Sequence, residues 1–215
     1  MINTPDPGDQ RASSRLRLAV FASGQGTNLQ NIHKKIQSGE LETIELALVI
    51  SNNSASGAME FANEHGIPAE HISAVKYGDE SKAQEETVAT LERHKIDLIV
   101  LAGYLKKLPD LVVRQYEGRI INVHPALLPS FGGAGMYGRH VHEAVIARGC
   151  KVSGATAHLV TENYDEGPIL LQEACQVADD ETPQSLSRKV REIEFRLLPK
   201  AIGLVAQRIL TSRPH

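Results

Sequence analysis

Apolar runs alternate with amphipathic segments along most of the chain, and this alternation predicts its secondary structure. Leu16–Ala22 is a continuous apolar run typical of a buried strand. The segment after it, Asn28–Gln37, carries Leu29, Ile32 and Ile36 at helical spacing. The same order then repeats, with strands predicted at Ile44–Ile50, Pro68–Ile72, Asp97–Ala102 and Ile120–Val123, and helices at Ser56–His65 and Ser81–His94.

The pattern changes in the second half of the chain. A glycine-rich loop is predicted at Ser130–Gly138, and a helix is predicted at Val141–Arg148. Two strand candidates, Ser153–Val160 and Ile169–Val177, flank a polar loop, which favours antiparallel pairing between them.

A long helix is predicted at Pro183–Ile209. Thr182 is its expected N-cap because threonine favours that position and Pro183 suits the first helical residue. Pro199 is expected to kink the helix because it has no N–H to donate. The residues expected to face the sheet are Leu186, Val190, Ile193, Leu197 and Val205.

These elements together indicate an α/β protein with a single doubly wound, mostly parallel Rossmann-like sheet. Helices are expected on both faces of the sheet, and an antiparallel strand region is expected towards the C-terminus. A length of 215 residues suits one large domain, which is predicted at residues 15–215. Residues 1–14 are polar and are predicted to form a disordered tail.

Composition and charge narrow the classes of function. The net charge of -3 predicts no bulk attraction to nucleic acid. No stretch is apolar enough to span a membrane or resembles a signal peptide, and Cys150 and Cys175 form no CxxC pair. A cytoplasmic protein without nucleic-acid or membrane partners is therefore expected. No metal is expected, since His140 and His142 are too close for the usual helical pair of ligands.

A glycine-containing loop, Ser23–Asn28, joins the first predicted strand to the first predicted helix. In doubly wound folds this position binds phosphate, because the helix N-terminus offers unpaired N–H groups. The loop lacks the third glycine of a dinucleotide site and the lysine of a P-loop, so it suits one phosphate. An ordinary strand-to-helix turn capped by Thr27 or Asn28 explains the loop equally well.

An asparagine and a histidine stand two residues apart where a predicted strand ends. Alternation puts Asn122 and His124 on the same face, near the carboxyl end of the sheet where open α/β sheets bind ligands. An amide and an imidazole can both donate hydrogen bonds to a developing oxyanion. The alternative is a buried histidine beside an asparagine with a turn role. A third candidate, Asp165, lies in a turn-rich loop, where aspartate before glycine is also ordinary turn chemistry.

Taken in order, these segments resemble the glycinamide ribonucleotide formyltransferase family. The resemblance covers nearly the whole chain from Arg17, and the ordered set is more specific than any one segment. The segments that carry it are Ser23–Gln30, Leu101–Tyr104, Ile121–Pro129, Ser130–Gly133, Gly135–Gly138, Ser153–His158 and Asp165–Ile169.

The resemblance implies a role for each candidate residue. Asn122, His124 and Asp165 would be catalytic, with the Asp165 carboxylate expected to raise the pKa of His124. The substrate phosphate and ribose would be held by Gly26, Thr27, Asn28 and Glu194. The folate cosubstrate would be held by Leu105, Lys106, Leu108, Val160, Thr161 and Tyr164, with Lys82 at its glutamate tail.

The implied reaction moves a formyl group from 10-formyltetrahydrofolate to the amine of glycinamide ribonucleotide, in a monomer or homodimer without metal. Two alternatives keep this chemistry and change the acceptor to a sugar nucleotide or methionyl-tRNA. A third is a formyltetrahydrofolate hydrolase, with water as the acceptor. A fourth, from another class, is a non-catalytic folate- or nucleotide-binding module, which would have no use for Asn122, His124 and Asp165 together.

Overall fold

The computed structural model describes residues 15–212, so the tail predicted at residues 1–14 lies outside the described residues. Its strands are β1 (Leu16–Phe21), β2 (Ile44–Ser51), β3 (Ala69–His71), β4 (Leu98–Leu101), β5 (Ile120–His124), β6 (Val152–Leu159) and β7 (Ile169–Gln176). Its helices are α1 (Thr27–Gln37), α2 (Gly57–Glu64), α3 (Ala74–Tyr77), α4 (Glu80–Arg93), α5 (Asp110–Gln115), α6 (Arg139–Ala147) and α7 (Pro183–Ser212).

The strands form one mixed sheet in the order β3-β2-β1-β4-β5-β6-β7. The pairs from β3 to β5 are parallel, whereas β5 with β6 and β6 with β7 are antiparallel. The predicted fold class, a mostly parallel sheet with an antiparallel C-terminal region, is confirmed. The carboxyl ends of β1, β4 and β5 meet at one edge, where open α/β sheets bind ligands.

Helices cover both faces of the sheet, as β1 shows most simply. Leu18 and Val20 point into one core, which they share with Val190 and other residues of α7. Ala19 and Phe21 point into the opposite core with residues of α4 and α5. A strand buried on both faces has no polar alternation, which is why β1 is an unbroken apolar run in the sequence.

The long helix α7 begins as predicted and continues three residues beyond the predicted end. The Ser185 N–H donates to Thr182 Oγ1 at 3.1 Å, which confirms Thr182 as the N-cap. Pro199 is buried inside the helix, and the helix runs through it without a break. All five residues predicted to face the sheet are buried: Leu186, Val190, Ile193, Leu197 and Val205.

Two short helices were not predicted. The four residues of α3 and the six of α5 are too few for an apolar period to stand out. The start of α3 is set by Ser73, whose side chain accepts the Lys76 N–H. Between residues 15 and 212, no helix is long and apolar enough to cross a membrane.

Gly154 on β6 provides a test of the packing between the antiparallel strands. A methyl group there would overlap the backbone carbonyl oxygen of Glu173 on β7 and the side chain of Leu127. We expect Gly154→Ala to destabilise the fold by about 1–3 kcal/mol, as overpacking does. Equilibrium urea unfolding of the purified variant measures the change.

Gly203 supplies the matched control, because it lies inside α7 with its nearest neighbour, a methyl of Leu41, at 4.0 Å from the added carbon. Gly203→Ala should stabilise the protein by about 0.5–1 kcal/mol, since alanine loses less backbone entropy in a helix. Equal effects of the two substitutions would show that the close approach at Gly154 does not limit the fold.

Candidate active site

A cleft of about 700 Å³ opens at the carboxyl ends of the parallel strands. Its floor is formed by Gly24–Asn28 after β1, Leu101–Leu108 from the end of β4 onwards and Asn122–Pro125 at the end of β5. The loops at Gly133–Arg139 and Val160–Asp165 form its walls, and α7 closes one end. Every residue predicted for the site, with the exception of Lys82, lines this cleft.

The carboxylate of Asp165 is the meeting point of the cleft's polar groups. The side chain is 10% exposed, and the residue has a φ of 57°, a left-handed conformation that aspartate adopts more readily than most residues. The Gly133 N–H donates to Oδ2 at 2.9 Å. The Asn122 side-chain amide lies 3.4 Å from Oδ1, a distance that makes only a weak hydrogen bond.

His124 lies on the other side of the same carboxylate. Its Nδ1 is 3.5 Å from Asp165 Oδ2, and its side chain is 4% exposed. Its Nε2 is 2.8 Å from the backbone carbonyl oxygen of Phe131, which can only accept a hydrogen bond. Nε2 therefore carries a proton, and Nδ1 is the nitrogen that can gain or lose one next to Asp165.

His158 is a further member of the cluster, to which the sequence analysis gave no role. The Asn122 amide N–H donates to His158 Nε2 at 3.0 Å, and His158 Nδ1–H donates to its neighbour's carbonyl, that of Leu159, at 2.9 Å. The same Nε2 lies 3.5 Å from Asp165 Oδ1, so His158 contacts both the Asn122 amide and the carboxylate. Asn122 and His158 are direct partners in the β5–β6 register, so the antiparallel pairing brings them together.

Asp165 acts to raise the pKa of His124, as expected, but the pKa nevertheless lies below its usual value. Burial lowers the pKa of His124, and the opposing effects of the Asp165 charge and the Phe131 carbonyl are smaller. Burial acts to raise the pKa of Asp165, but its contacts with His158, His124 and the Gly133 N–H together lower it. At neutral pH the resting pair is therefore a neutral imidazole beside a carboxylate.

The loop after β1 turns tightly into α1 and leaves the first turn of that helix without a side-chain cap. Gly26 precedes α1 with a φ of 72°, and a Cβ at this position would lie 2.9 Å from the backbone of Ala58. Among the described residues, no side chain caps α1, so the alternative in which Thr27 or Asn28 caps the turn is not observed. The uncapped first turn faces the cleft, where N–H groups suit a phosphate.

Glu194 reaches the cleft from α7 and meets this loop. The Asn28 amide N–H donates to Glu194 Oε2 at 2.9 Å. Burial raises the pKa of Glu194, while the Asn28 hydrogen bond and the nearby Arg191 oppose that rise. The Asn28 side-chain oxygen is buried with no hydrogen-bond partner in the described part of the chain. This end of the cleft therefore has both a carboxylate acceptor and an unused amide acceptor, groups that suit ligand hydroxyls.

The opposite end of the cleft is more apolar. Leu108 is buried, whereas Leu105 and Tyr164 are 56% and 48% exposed at the mouth. Lys106 and the start of the loop after β6 line the same end. A flat aromatic ligand with a charged tail suits this combination of apolar side chains and a lysine.

Lys82 is the one predicted residue that the structure does not bring to the cleft. It lies in the first turn of α4, where its ammonium group is 3.6 Å from Asp79. Its predicted contact with a folate glutamate tail stays a prediction, and it would require the tail to extend beyond the cleft.

Comparison with known proteins decides the family. The family model described as formyl transferase matches residues 16–202. The chain belongs to the formyltransferase family.

Within the described residues, no three histidine, cysteine or acidic side chains are grouped so as to hold a metal ion.

The chain is similar to several members of this family. It is 37% identical to the chloroplastic phosphoribosylglycinamide formyltransferase of Arabidopsis thaliana over 93% of this chain and 68% of that one. It is 40% identical to the Vigna unguiculata protein of the same name, over 91% of this chain but 63% of the relative. The crystal structure of glycinamide ribonucleotide transformylase 1 from Symbiobacterium toebii superposes with a TM-score of 0.84 at 33% identity, covering 91% and 89% of the two chains.

Two further side chains of the cleft had no functional role in the sequence analysis. Arg191 lines the cleft one turn before Glu194, and its charge acts on the Glu194 carboxylate. His142 is buried on α6, its Nδ1 has no partner among the described residues, and burial and Arg191 lower its pKa. Because Arg191 is three residues before Glu194 on the predicted helix, the two share a face, and this spacing could have indicated Arg191 as a cleft residue. Nothing in the sequence indicates that His142 faces a cleft.

The geometry predicts how His124 responds to the loss of its neighbouring charge. Asp165→Asn removes the carboxylate that stabilises the imidazolium, so the pKa of His124 should fall further below its usual value. Asparagine also tolerates the left-handed backbone at this position. Proton NMR titration of the histidine ring signals measures the pKa, with His124→Gln identifying the signal.

Asp179→Asn is the matched control, because Asp179 is an exposed carboxylate paired with Lys151. It should leave the His124 titration unchanged. An unchanged or higher pKa of His124 in Asp165→Asn would show that the carboxylate does not act on the imidazole.

Proposed function

We propose that this chain transfers the formyl group of 10-formyltetrahydrofolate to the amine of glycinamide ribonucleotide, a step of de novo purine biosynthesis. The observation that carries the proposal is the position of Asn122, His124 and Asp165 between the two ends of one cleft. One end has the loop before α1, whose N–H groups suit a phosphate, and the other end has the apolar surface around Leu105 and Leu108. A reaction between a phosphorylated amine and a folate needs this arrangement, since the reacting atoms then meet at the cluster.

The ribonucleotide occupies the end formed by Gly26, Thr27 and Asn28 in this proposal. The loop and the N-terminus of α1 hold its phosphate, and the Glu194 carboxylate accepts from its ribose hydroxyls. The folate occupies the opposite end, against Leu105, Lys106 and Leu108 on one side and the chain from Val160 to Tyr164 on the other. No nucleic acid, membrane or metal enters the proposed reaction.

The protonation state of the resting cluster sets the order of the chemical steps. The neutral amine attacks the formyl carbon, which leaves an oxyanion on the formyl oxygen and a positive charge on the amine nitrogen. Nδ1 of His124 takes the proton from that nitrogen, since its Nε2 is held by the Phe131 carbonyl. The imidazolium then faces the oxyanion on one side and Asp165 on the other, and both negative charges stabilise it.

The second half of the reaction returns the proton. The bond between the formyl carbon and the folate nitrogen breaks, the carbonyl re-forms, and the imidazolium donates its proton to the departing nitrogen. The Asn122 amide donates to the oxyanion while it exists, using the N–H that makes only the 3.4 Å contact with Asp165. Protons and charges balance, and His124 ends neutral as it began.

The choice of acceptor is the sharpest test of the proposal. Tetrahydrofolate release, followed by absorbance, should be rapid with glycinamide ribonucleotide and at least about 100-fold slower with water alone, because proximity is lost without a bound amine. A sugar nucleotide amine and methionyl-tRNA should behave like water. His124→Ala protein serves as the blank.

The alternatives each give a different result in this assay. Rapid release in water would identify a formyltetrahydrofolate hydrolase, and rapid release with tRNA or a sugar nucleotide would identify another acceptor. Binding of folate without release under any condition would leave a binding module.

A further inference from the structure

The side chain of Ser23 connects the ends of three strands behind the cleft. The residue follows β1 and is 8% exposed, and it does not line the cleft itself. Its N–H donates to the carbonyl of Gly103 after β4 at 3.1 Å. Its hydroxyl donates to Asn52 Oδ1 after β2 at 2.5 Å and accepts the Leu105 N–H at 2.9 Å.

The direction of these bonds matters because one hydroxyl has one proton. Asn52 takes that proton, so a lone pair of the Ser23 oxygen is turned towards the Leu105 N–H. The hydroxyl is therefore fixed in rotation, and the position of the Leu105 backbone is fixed with it.

The segment that Ser23 holds is anchored on either side of Leu105 by Tyr104, which packs against Phe21, and by the buried Leu108, whereas the backbone of Leu105 between them is held by the hydroxyl. Residues 104–109 lie in neither a helix nor a strand, and Gly103 turns the chain with a φ of 73°. Leu105 is 56% exposed, so its own side chain contributes little packing to hold the segment. The buried hydroxyl supplies an anchor from the far side of the backbone.

We infer that Ser23 is a positioning residue for the folate end of the cleft, although it belongs to the loop whose other residues face the ribonucleotide end. The inference rests on the proposed function, which puts the folate against Leu105 and Lys106. Without the hydroxyl, the 103–108 segment loses a fixed attachment to the sheet, and the folate must order that segment when it binds. The ribonucleotide end is held separately by the N-terminus of α1 and by the Asn28–Glu194 bond.

Ser23→Ala tests this inference through a split between the two substrates. We expect the Kd of tetrahydrofolate, measured by anaerobic calorimetry, to rise about 3- to 10-fold, because the substitution removes both hydrogen bonds of the hydroxyl and with them the attachment of the Leu105 N–H. The KM of glycinamide ribonucleotide and the kcat should stay within about two-fold, because the lost interaction acts on folate binding alone.

Three further variants separate positioning from a general effect on folding. Ser23→Thr keeps the hydroxyl and should restore most of the folate affinity. Asn52→Ala frees the hydroxyl to rotate and should weaken folate binding in the same direction, which keeps the test available if Ser23→Ala does not fold. Ser153→Ala is the matched control, because Ser153 is a buried serine on β6 whose hydroxyl has no partner in the described residues. It should change neither the Kd of tetrahydrofolate nor the KM of glycinamide ribonucleotide.

The outcomes distinguish this inference from the proposed function. Folded Ser23→Ala protein with unchanged folate affinity, or with an equal loss for both substrates, overturns the inference. Wild-type protein that binds tetrahydrofolate and transfers no formyl group refutes the proposed function. In that case the tetrahydrofolate affinity of Ser23→Ala still tests the role of Ser23. Wild-type protein that binds no tetrahydrofolate overturns both.

Discussion

A carboxylate withdrawn from water is the interaction on which the rest of the cleft depends. Asp165 is held by the Gly133 N–H and lies 3.5 Å from the Nδ1 of His124. A buried charge of this kind is costly unless surrounding groups donate to it or can become positive. The cluster meets that need without cancelling the charge, since His124 rests neutral. The Asp165 carboxylate can therefore stabilise the imidazolium of His124 when that ring gains a proton during the reaction.

The fold delivers these groups from distant parts of the chain. Asn122 and His124 come from the end of a parallel strand, and His158 comes from the antiparallel strand paired with it. The two pairing modes meet at β5, which is parallel to β4 and antiparallel to β6. β6 runs back along β5, so that Leu159 pairs with Ile121. The loop that follows β6 then brings Asp165 to 3.5 Å from the Nδ1 of His124.

Much of this arrangement could be predicted from the sequence, and the rest depended on contacts that no local pattern reports. The strands were predicted because apolar runs such as β1 are buried on both faces, and Asn122 and His124 were predicted to share a face because strands alternate. The contact between Asp165 and His124 depends on the path of a loop. The low pKa of His124 depends on its burial in the folded chain, and a carboxylate neighbour alone predicted the opposite shift. His158 could have been found by extending the antiparallel register.

The central claim is that Asp165 acts on the reaction through His124. A double-mutant cycle on single-turnover rates tests it directly, using Asp165→Asn, His124→Ala and the double variant. Each single substitution should slow formyl transfer by about 100- to 1000-fold, the usual cost of losing one group that stabilises an oxyanion. The double variant should be little slower than His124→Ala, because members of one unit are not additive. Fully additive losses, or near-normal transfer by Asp165→Asn, would contradict the account.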